Sequence, residues 1–283
     1  MTRVVNAADR GEGPYLWRFT RLQITLHIFI IISFLLLVLT GLPLHFSSAP
    51  WARFMVTMVG GLEAAAIIHR ICAIITFGYF LVHLGSLVIR ARREGGWKRL
   101  VWGPDSMVPQ PKDARDVIAM FKWFLGRGPR PQFDRFSYME KFDYLGVFWG
   151  VAIIGFSGLL LWFPVFFSRF LPGWIFNVAT VVHGDEALLA LSFIFTVHFF
   201  NVHLRPEKFP IDLVVFTGRA TTEYMKEEHP LEYQRLVASG QIESRVAPPA
   251  SRATYMWGMI FGFASLAIGV FVIVLVLYAA IRG

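Results

Sequence analysis

Eight histidines carry most of the chemistry legible in this 283-residue chain. Four form two pairs at near-equal intervals, His69 with His83 fourteen residues on, and His183 with His198 fifteen residues on. On an α-helix fourteen residues advance about 21 Å and stop about 40° short of four turns, while fifteen overshoot by about 60°. Each pair therefore lies broadly on one helix face, at two depths. Two antiparallel helices of this kind would set His69 against His183 at one depth and His83 against His198 at the other. Neutral imidazoles facing one another from neighbouring helices suit axial ligation of haem iron, and helical bundles hold cofactors in this manner. The competing reading is a set of core histidines hydrogen-bonded across helices or relaying protons.

The elements that must position these residues are membrane spans. The chain is 55% hydrophobic and 16% charged, with a mean hydropathy of +0.55, which excludes an ordinary soluble enzyme. Five apolar stretches are long enough to cross the bilayer: Ile24 to Phe46, Ala64 to Ile89, Tyr144 to Phe167, Val178 to Leu204 and Met256 to Ile281. The expected fold is all-α, an integral membrane bundle of five transmembrane helices with a four-helix haem-binding core. A cytoplasmic N-terminal segment 1–23, the core domain 24–212 with a cytoplasmic loop 90–142, a second cytoplasmic loop 213–255 and a fifth span within 256–283 complete the expected organisation. Ionisable side chains at membrane depth are costly and usually functional, and seven of the eight histidines lie in or at the ends of spans.

Lysine and arginine set the orientation. Of 27, four precede the first span, twelve lie between Arg90 and Lys141, and seven between Arg205 and Arg252, so 23 fall on one side. The positive-inside rule then places the N-terminus in the cytoplasm and the C-terminus outside, in a bacterial inner membrane. The same distribution explains the net charge of +8 without nucleic-acid binding. The N-terminal stretch shows no small-residue cleavage site and reads as a retained anchor. Cys72 is the single cysteine, which excludes a disulfide framework, an iron–sulfur cluster held by this chain alone and a covalently attached c-type haem. Any redox centre here is held non-covalently.

Residues 113–125 predict an amphipathic helix on the inner membrane surface, with Val117, Met120, Phe121 and Phe124 on one face and prolines 109, 111, 129 and 131 bracketing it. No P-loop, G-x-G-x-x-G or G-x-S-x-G pattern and no fixed-period repeat occurs. Gly41, Gly60, Gly61 and Gly158 suit close helix approach or a tight turn.

His69-Arg70-Ile71-Cys72-Ala73 leading to His83 resembles the second helix of the cytochrome b of bc-type quinol oxidases. The span carrying His183 and His198 is similar to the matching helix of the plastid-type version. The wider layout is closer to the gamma subunits of formate dehydrogenase and thiosulfate reductase, and to bacterial cytochrome b/b6-domain proteins. That likeness rests on Arg18-Phe19-Thr20-Arg21 before His27, on Thr40-Gly41, and on His198 followed by His203-Leu204-Arg205-Pro206-Glu207-Lys208-Phe209-Pro210. It covers residues 18 to 212; the fifth span and the loop before it depart from it.

The resemblance implies a di-haem subunit carrying electrons between the quinone pool, menaquinone included, and a periplasmic-side partner such as an iron–sulfur protein or a multihaem c-type cytochrome. It implies two non-covalent haems b, with His69 and His183 on the outer one and His198 on the inner one. The second inner ligand is His27 on the formate dehydrogenase pattern or His83 on the bc pattern; the repeated fourteen-residue interval favours His83. His27 then lines a quinone pocket or, with His203, holds a third haem. Arg70 suits a haem propionate or an interfacial anchor, Asn201 and His203 a quinone carbonyl or a proton relay, and Asp185 and Glu186 quinol protons. The rival reading is a haem-free anchor or proton-relay transporter subunit, against which five spans count because they cannot form two equal halves.

Overall fold

In the computed structural model, residues 14–206 and 208–282 are described. The chain is nearly all helix. A short strand β1 (Tyr15–Trp17) leads into α1 (Arg21–His45), α2 (Pro50–Met58), α3 (Leu62–Arg93), α4 (Gly96–Trp102), α5 (Pro111–Phe124), α6 (Tyr138–Trp162) and α7 (Pro164–Phe167). Then come α8 (Trp174–Phe193) with π-helical continuations at Ile194–His198 and Phe200–Leu204, α9 (Val214–Thr217), β2 (Arg219–Thr221), α10 (Thr222–Glu228), α11 (Pro230–Ala238), β3 (Val246–Ala247) and α12 (Arg252–Arg282). Five helices are long and apolar enough to cross a membrane: α1, α3, α6, α8 with its continuation to Leu204, and α12. The protein is thus a multi-pass helical membrane protein, as the hydropathy pattern requires.

Span ends follow local chemistry. The third span stops at Trp162, short of the expected Phe167, because Pro164 cannot continue the backbone hydrogen-bond ladder and instead opens α7. Gly60 and Gly61 have φ of 97° and 95°, a left-handed turn between α2 and α3 that a side chain resists.

The contacts divide the chain into two units. One gathers Leu26–Val82, Gly146–Phe200 and 262–282. Its core is Leu35, Val38 and Leu42 from α1, Leu191, Phe195 and Phe199 from the fourth span, and Val272 from α12. The other gathers 14–25, His83–Leu145 and Asn201–Phe261. Three segments expected as separate pieces outside the spans are therefore one assembly, and it contains a sheet that hydropathy did not indicate. β1 is its central strand, antiparallel to β2 with Leu16 opposite Ala220 and antiparallel to β3 with Leu16 opposite Val246. Leu16, Val214, Ala220, Tyr224 and Met225 form its apolar core.

Buried ion pairs also run through this second unit. Arg18, 3% exposed, donates to Glu232 at 2.8 Å, to the Arg135 carbonyl at 2.6 Å and to Glu140 at 3.3 Å, while Arg135 donates to Glu232 at 2.7 Å. Burial opposes the charge on Arg18, but Glu140 and Glu232 outweigh it and hold the guanidinium above its usual pKa. Arg130 and Arg205 converge on Glu228 at 2.7 and 3.5 Å, and Lys208 pairs with Asp212 at 3.3 Å. Buried ions persist only when paired in this way.

Candidate functional site

The site grows from α3 and α8. His69 and His183 lie with ring centroids 6.2 Å apart and planes at 64°. Each ring is fixed from behind by a different helix. On α1 the Thr40 hydroxyl gives its proton to the Leu36 carbonyl at 2.7 Å, so its oxygen accepts from His69 Nδ1 at 2.9 Å. On α6 the Ile154 carbonyl, which can only accept, takes the His183 Nδ1 proton at 3.0 Å, with Ser157 Oγ at 3.4 Å beside it. Both rings thereby donate from Nδ1, and in the neutral form each keeps a lone pair on Nε2. This is the outer-sphere arrangement that orients metal-binding histidines.

Glycine makes the approach possible. A Cβ on Gly41 would stand 3.2 Å from His69 Cε1, and one on Gly158 would stand 3.0 Å from His183 Cε1. The two halves of the site repeat one pattern, a hydroxyl residue followed by glycine, Thr40-Gly41 on the first span and Ser157-Gly158 on the third. The sequence contained that signal in these dipeptides, but only the contacts show that the hydroxyls and the Ile154 carbonyl serve the rings.

Two rings at this centroid spacing could share one metal ion. An imidazole nitrogen sits about 2.0–2.1 Å from a transition-metal ion and the ring centroid about 1.1 Å behind it, so two rings on opposite sides of one ion have centroids roughly 6.3 Å apart. Among the described residues no group of three or more His, Cys, Asp or Glu side chains is placed to hold a metal. Two imidazoles alone suit an ion whose remaining positions are filled by a macrocycle, as in haem.

The other candidates are placed differently. Arg70, next to His69, lies over the Trp162 ring at 5.6 Å, a cation–π contact. His83 belongs to the unit with the sheet, and its Nε2 is 2.8 Å from the Tyr144 hydroxyl. Tyr144 is a partner that sequence reading missed, since a tyrosine near a span end is ordinary. His27 and His198 belong to the same unit as His69 and His183. Asn201 and His203 are buried in the second π-helical segment. Glu186 accepts from Trp149 Nε1 at 3.2 Å, and Asp185 is exposed.

The π-helical winding changes the phase of the fourth span. A π turn holds more residues than an α turn, so the segment Ile194–His198 turns His198 back from the roughly 60° overshoot of fifteen α steps. The change is toward the His69 to His83 phase, about 40° short of four turns on α3. Wider winding at Ile194–His198 thus acts against the offset of the extra residue.

No protein-family model and no curated protein matches the chain. Fold and site define its class as a multi-pass helical membrane protein with a preorganised histidine pair between spans.

Proposed function

We propose that the protein is a di-haem cytochrome b subunit that carries electrons between the membrane quinone pool and a redox partner on the periplasmic side. The observation that carries this reading is the His69–His183 pair, two imidazoles 6.2 Å apart with both Nδ1 atoms bonded to neighbouring helices. A haem held there supplies a one-electron ferric/ferrous couple. The chain's own part is to present two Nε2 lone pairs, to hold both rings by Thr40 and Ile154, and to keep the site free of side chains at Gly41 and Gly158.

His198 is the proposed inner ligand on the fourth span. The second inner ligand is His83, which the repeated fourteen-residue interval favours, or His27; the His83 Nε2 lies 2.8 Å from the Tyr144 hydroxyl. Asn201 and His203, buried one turn beyond His198, are the proposed contacts to a quinone carbonyl. The one-sided distribution of 23 of 27 basic residues supports a cytoplasmic N-terminus, and with it a periplasmic face near His69 and His183.

The direct test is a dithionite-reduced minus air-oxidised spectrum of the detergent-purified protein, with pyridine-haemochrome quantitation per chain. Two b-type haems, falling to one in His69→Ala and in His183→Ala, are expected. A chain made with ample haem that binds none overturns the proposal in favour of a haem-free anchor or proton-relay subunit.

A further inference from the structure

Helix α5 is amphipathic, but its faces are inverted relative to a helix packing on a protein core. The sequence pattern assigns Val117, Met120, Phe121 and Phe124 to one apolar face. The structure splits that set: Asp113, Asp116 and Met120 are turned inward and buried, while Ile118, Phe121 and Leu125 are 57%, 66% and 68% exposed. The cause is an ion pair. Lys141 donates to both Asp113 oxygens at 3.0 and 2.9 Å, and Asp113 also accepts from the Gln110 backbone at 2.6 Å to cap the helix. The acidic edge is thereby fixed against the protein, and the stripe Ala114, Ile118, Phe121, Leu125, at helical spacing, faces outward.

Charge around that stripe is of one sign. All three acids between residues 96 and 128 are used within the protein: Asp105 by Arg235 at 2.7 Å, Asp113 by Lys141, and Asp116 by Lys112 at 2.5 Å. Lys98, Arg99, Arg115, Lys122 and Arg127 have no ion pair among the described residues, and all five are exposed. On α4, Trp97 and Trp102 are 57% and 61% exposed, and α4 is tied to the start of α5 by Gln110, whose amide donates to the Val101 and Gly103 carbonyls at 3.3 Å. An exposed apolar stripe edged by cations and aromatics is what an interfacial helix presents to lipid. The same unit contains the basic end of the α3 span and the start of the α6 span, which keeps this surface within reach of headgroups.

We infer that α4 and α5 form a lipid-binding foot, with Ile118, Phe121 and Leu125 among the acyl chains and Arg115 and Lys122 on anionic phospholipid headgroups. A second copy of the chain is a poor occupant, because it would bring the same cations face to face.

Spin labels on single cysteines test this. In a Cys72→Ala background, Ile118→Cys, Phe121→Cys, Leu125→Cys and a control at the exposed Gln241→Cys are labelled, and the protein is reconstituted in phosphatidylcholine vesicles with and without about one-third phosphatidylglycerol. Relaxation by oxygen greater than by an aqueous nickel chelate is expected at the three stripe positions and the reverse at 241. The stripe labels should move deeper with phosphatidylglycerol, and Arg115→Gln with Lys122→Gln should abolish that shift. Nickel accessibility on the stripe equal to that at 241 overturns the inference. So does a stripe shielded from both reagents with dipolar coupling between chains, which would mean an interface between copies, and so does a depth indifferent to phosphatidylglycerol, which would remove the headgroup assignment.

Discussion

The Thr40 hydroxyl stands 2.9 Å from His69 Nδ1 while donating its only proton to the Leu36 carbonyl. One threonine thus holds the ring's orientation and favours a proton on Nδ1. Thr40→Val keeps the shape and removes the acceptor, leaving Nδ1 without that bond. Loss of an outer partner of this kind typically costs about 10- to 100-fold in metal affinity. Under the cytochrome reading, haem per chain falls in Thr40→Val after equilibration with apomyoglobin as a haem acceptor, and Thr40→Ser restores it. Unchanged haem retention in Thr40→Val would show that the bond does not tune the site.

The glycines behind the rings make a graded prediction. A methyl on Gly41 meets His69 at 3.2 Å and one on Gly158 meets His183 at 3.0 Å, both tighter than ordinary contact. Overpacking of this kind costs about 1–3 kcal/mol. Gly158→Ala should lower the melting temperature in detergent more than Gly41→Ala, and both more than alanine at Gly146, where a Cβ meets nothing within 4 Å.

Hydropathy made the five spans legible because each must satisfy its own backbone polar groups in lipid, which leaves a long uncharged run. The His69 and His183 placement was equally legible, since depth along a straight helix follows from residue count. The sheet was not: β1, β2 and β3 have three, three and two residues, too short for alternation to register. Nor were the ion pairs of Arg18, whose partners Glu140 and Glu232 lie 122 and 214 residues away. Periodicity also misjudged α5, because a pattern records which residues share a face and not which face a distant Lys141 will claim. Tyr144 at the His83 Nε2 was not legible either, since no interval within one helix reveals a partner on another.

The buried cluster predicts acid sensitivity. His229, 2% exposed, donates from Nδ1 to the Asp134 carbonyl at 2.9 Å. Burial first, and then Arg18, push its pKa down to about 4. The unfolded chain, with a histidine near 6.5, binds more protons between these values, so stability rises with pH across this window. Its contribution is intact above about pH 6.5 and lost progressively toward pH 4, on the order of 3 kcal/mol in total at about 1.4 kcal/mol per unit. Glu228, whose carboxylate is held below its usual pKa by Lys208, Arg205 and Arg130 against the opposing effect of burial, adds to the loss as it protonates. Thermal unfolding of the detergent-solubilised protein should therefore fall steeply from pH 6.5 to 4. His229→Asn, which retains a donor for Asp134, should flatten that limb; an unchanged slope would remove His229 as its cause.

Glu232 accepts from two buried guanidinia, Arg18 at 2.8 Å and Arg135 at 2.7 Å. Glu232→Gln keeps the volume but leaves two cations sharing one neutral oxygen. Removing one member of a buried ion pair costs about 3–5 kcal/mol, so this unit should unfold at lower denaturant than wild type. The His69 and His183 site lies in the other unit, and its occupancy should be far less affected. Limited proteolysis within residues 205–251, followed alongside haem content, separates the two outcomes.

The choice between His27 and His83 yields the last prediction. A ligating imidazole offers one nitrogen to the metal and the other to an outer partner, and the His83 Nε2 is 2.8 Å from the Tyr144 hydroxyl. If His83 is a packing residue, His83→Gln keeps a polar partner for Tyr144 and two haems remain, whereas His27→Gln leaves one. If His83 is the ligand, the pattern reverses, and Tyr144→Phe should tighten haem binding by releasing Nε2. The two substitutions, read by haem per chain and by the low-spin electron paramagnetic resonance signals of the oxidised protein, give opposite answers. Retention of two haems in both variants would mean that neither histidine ligates, and that His198 pairs with another residue.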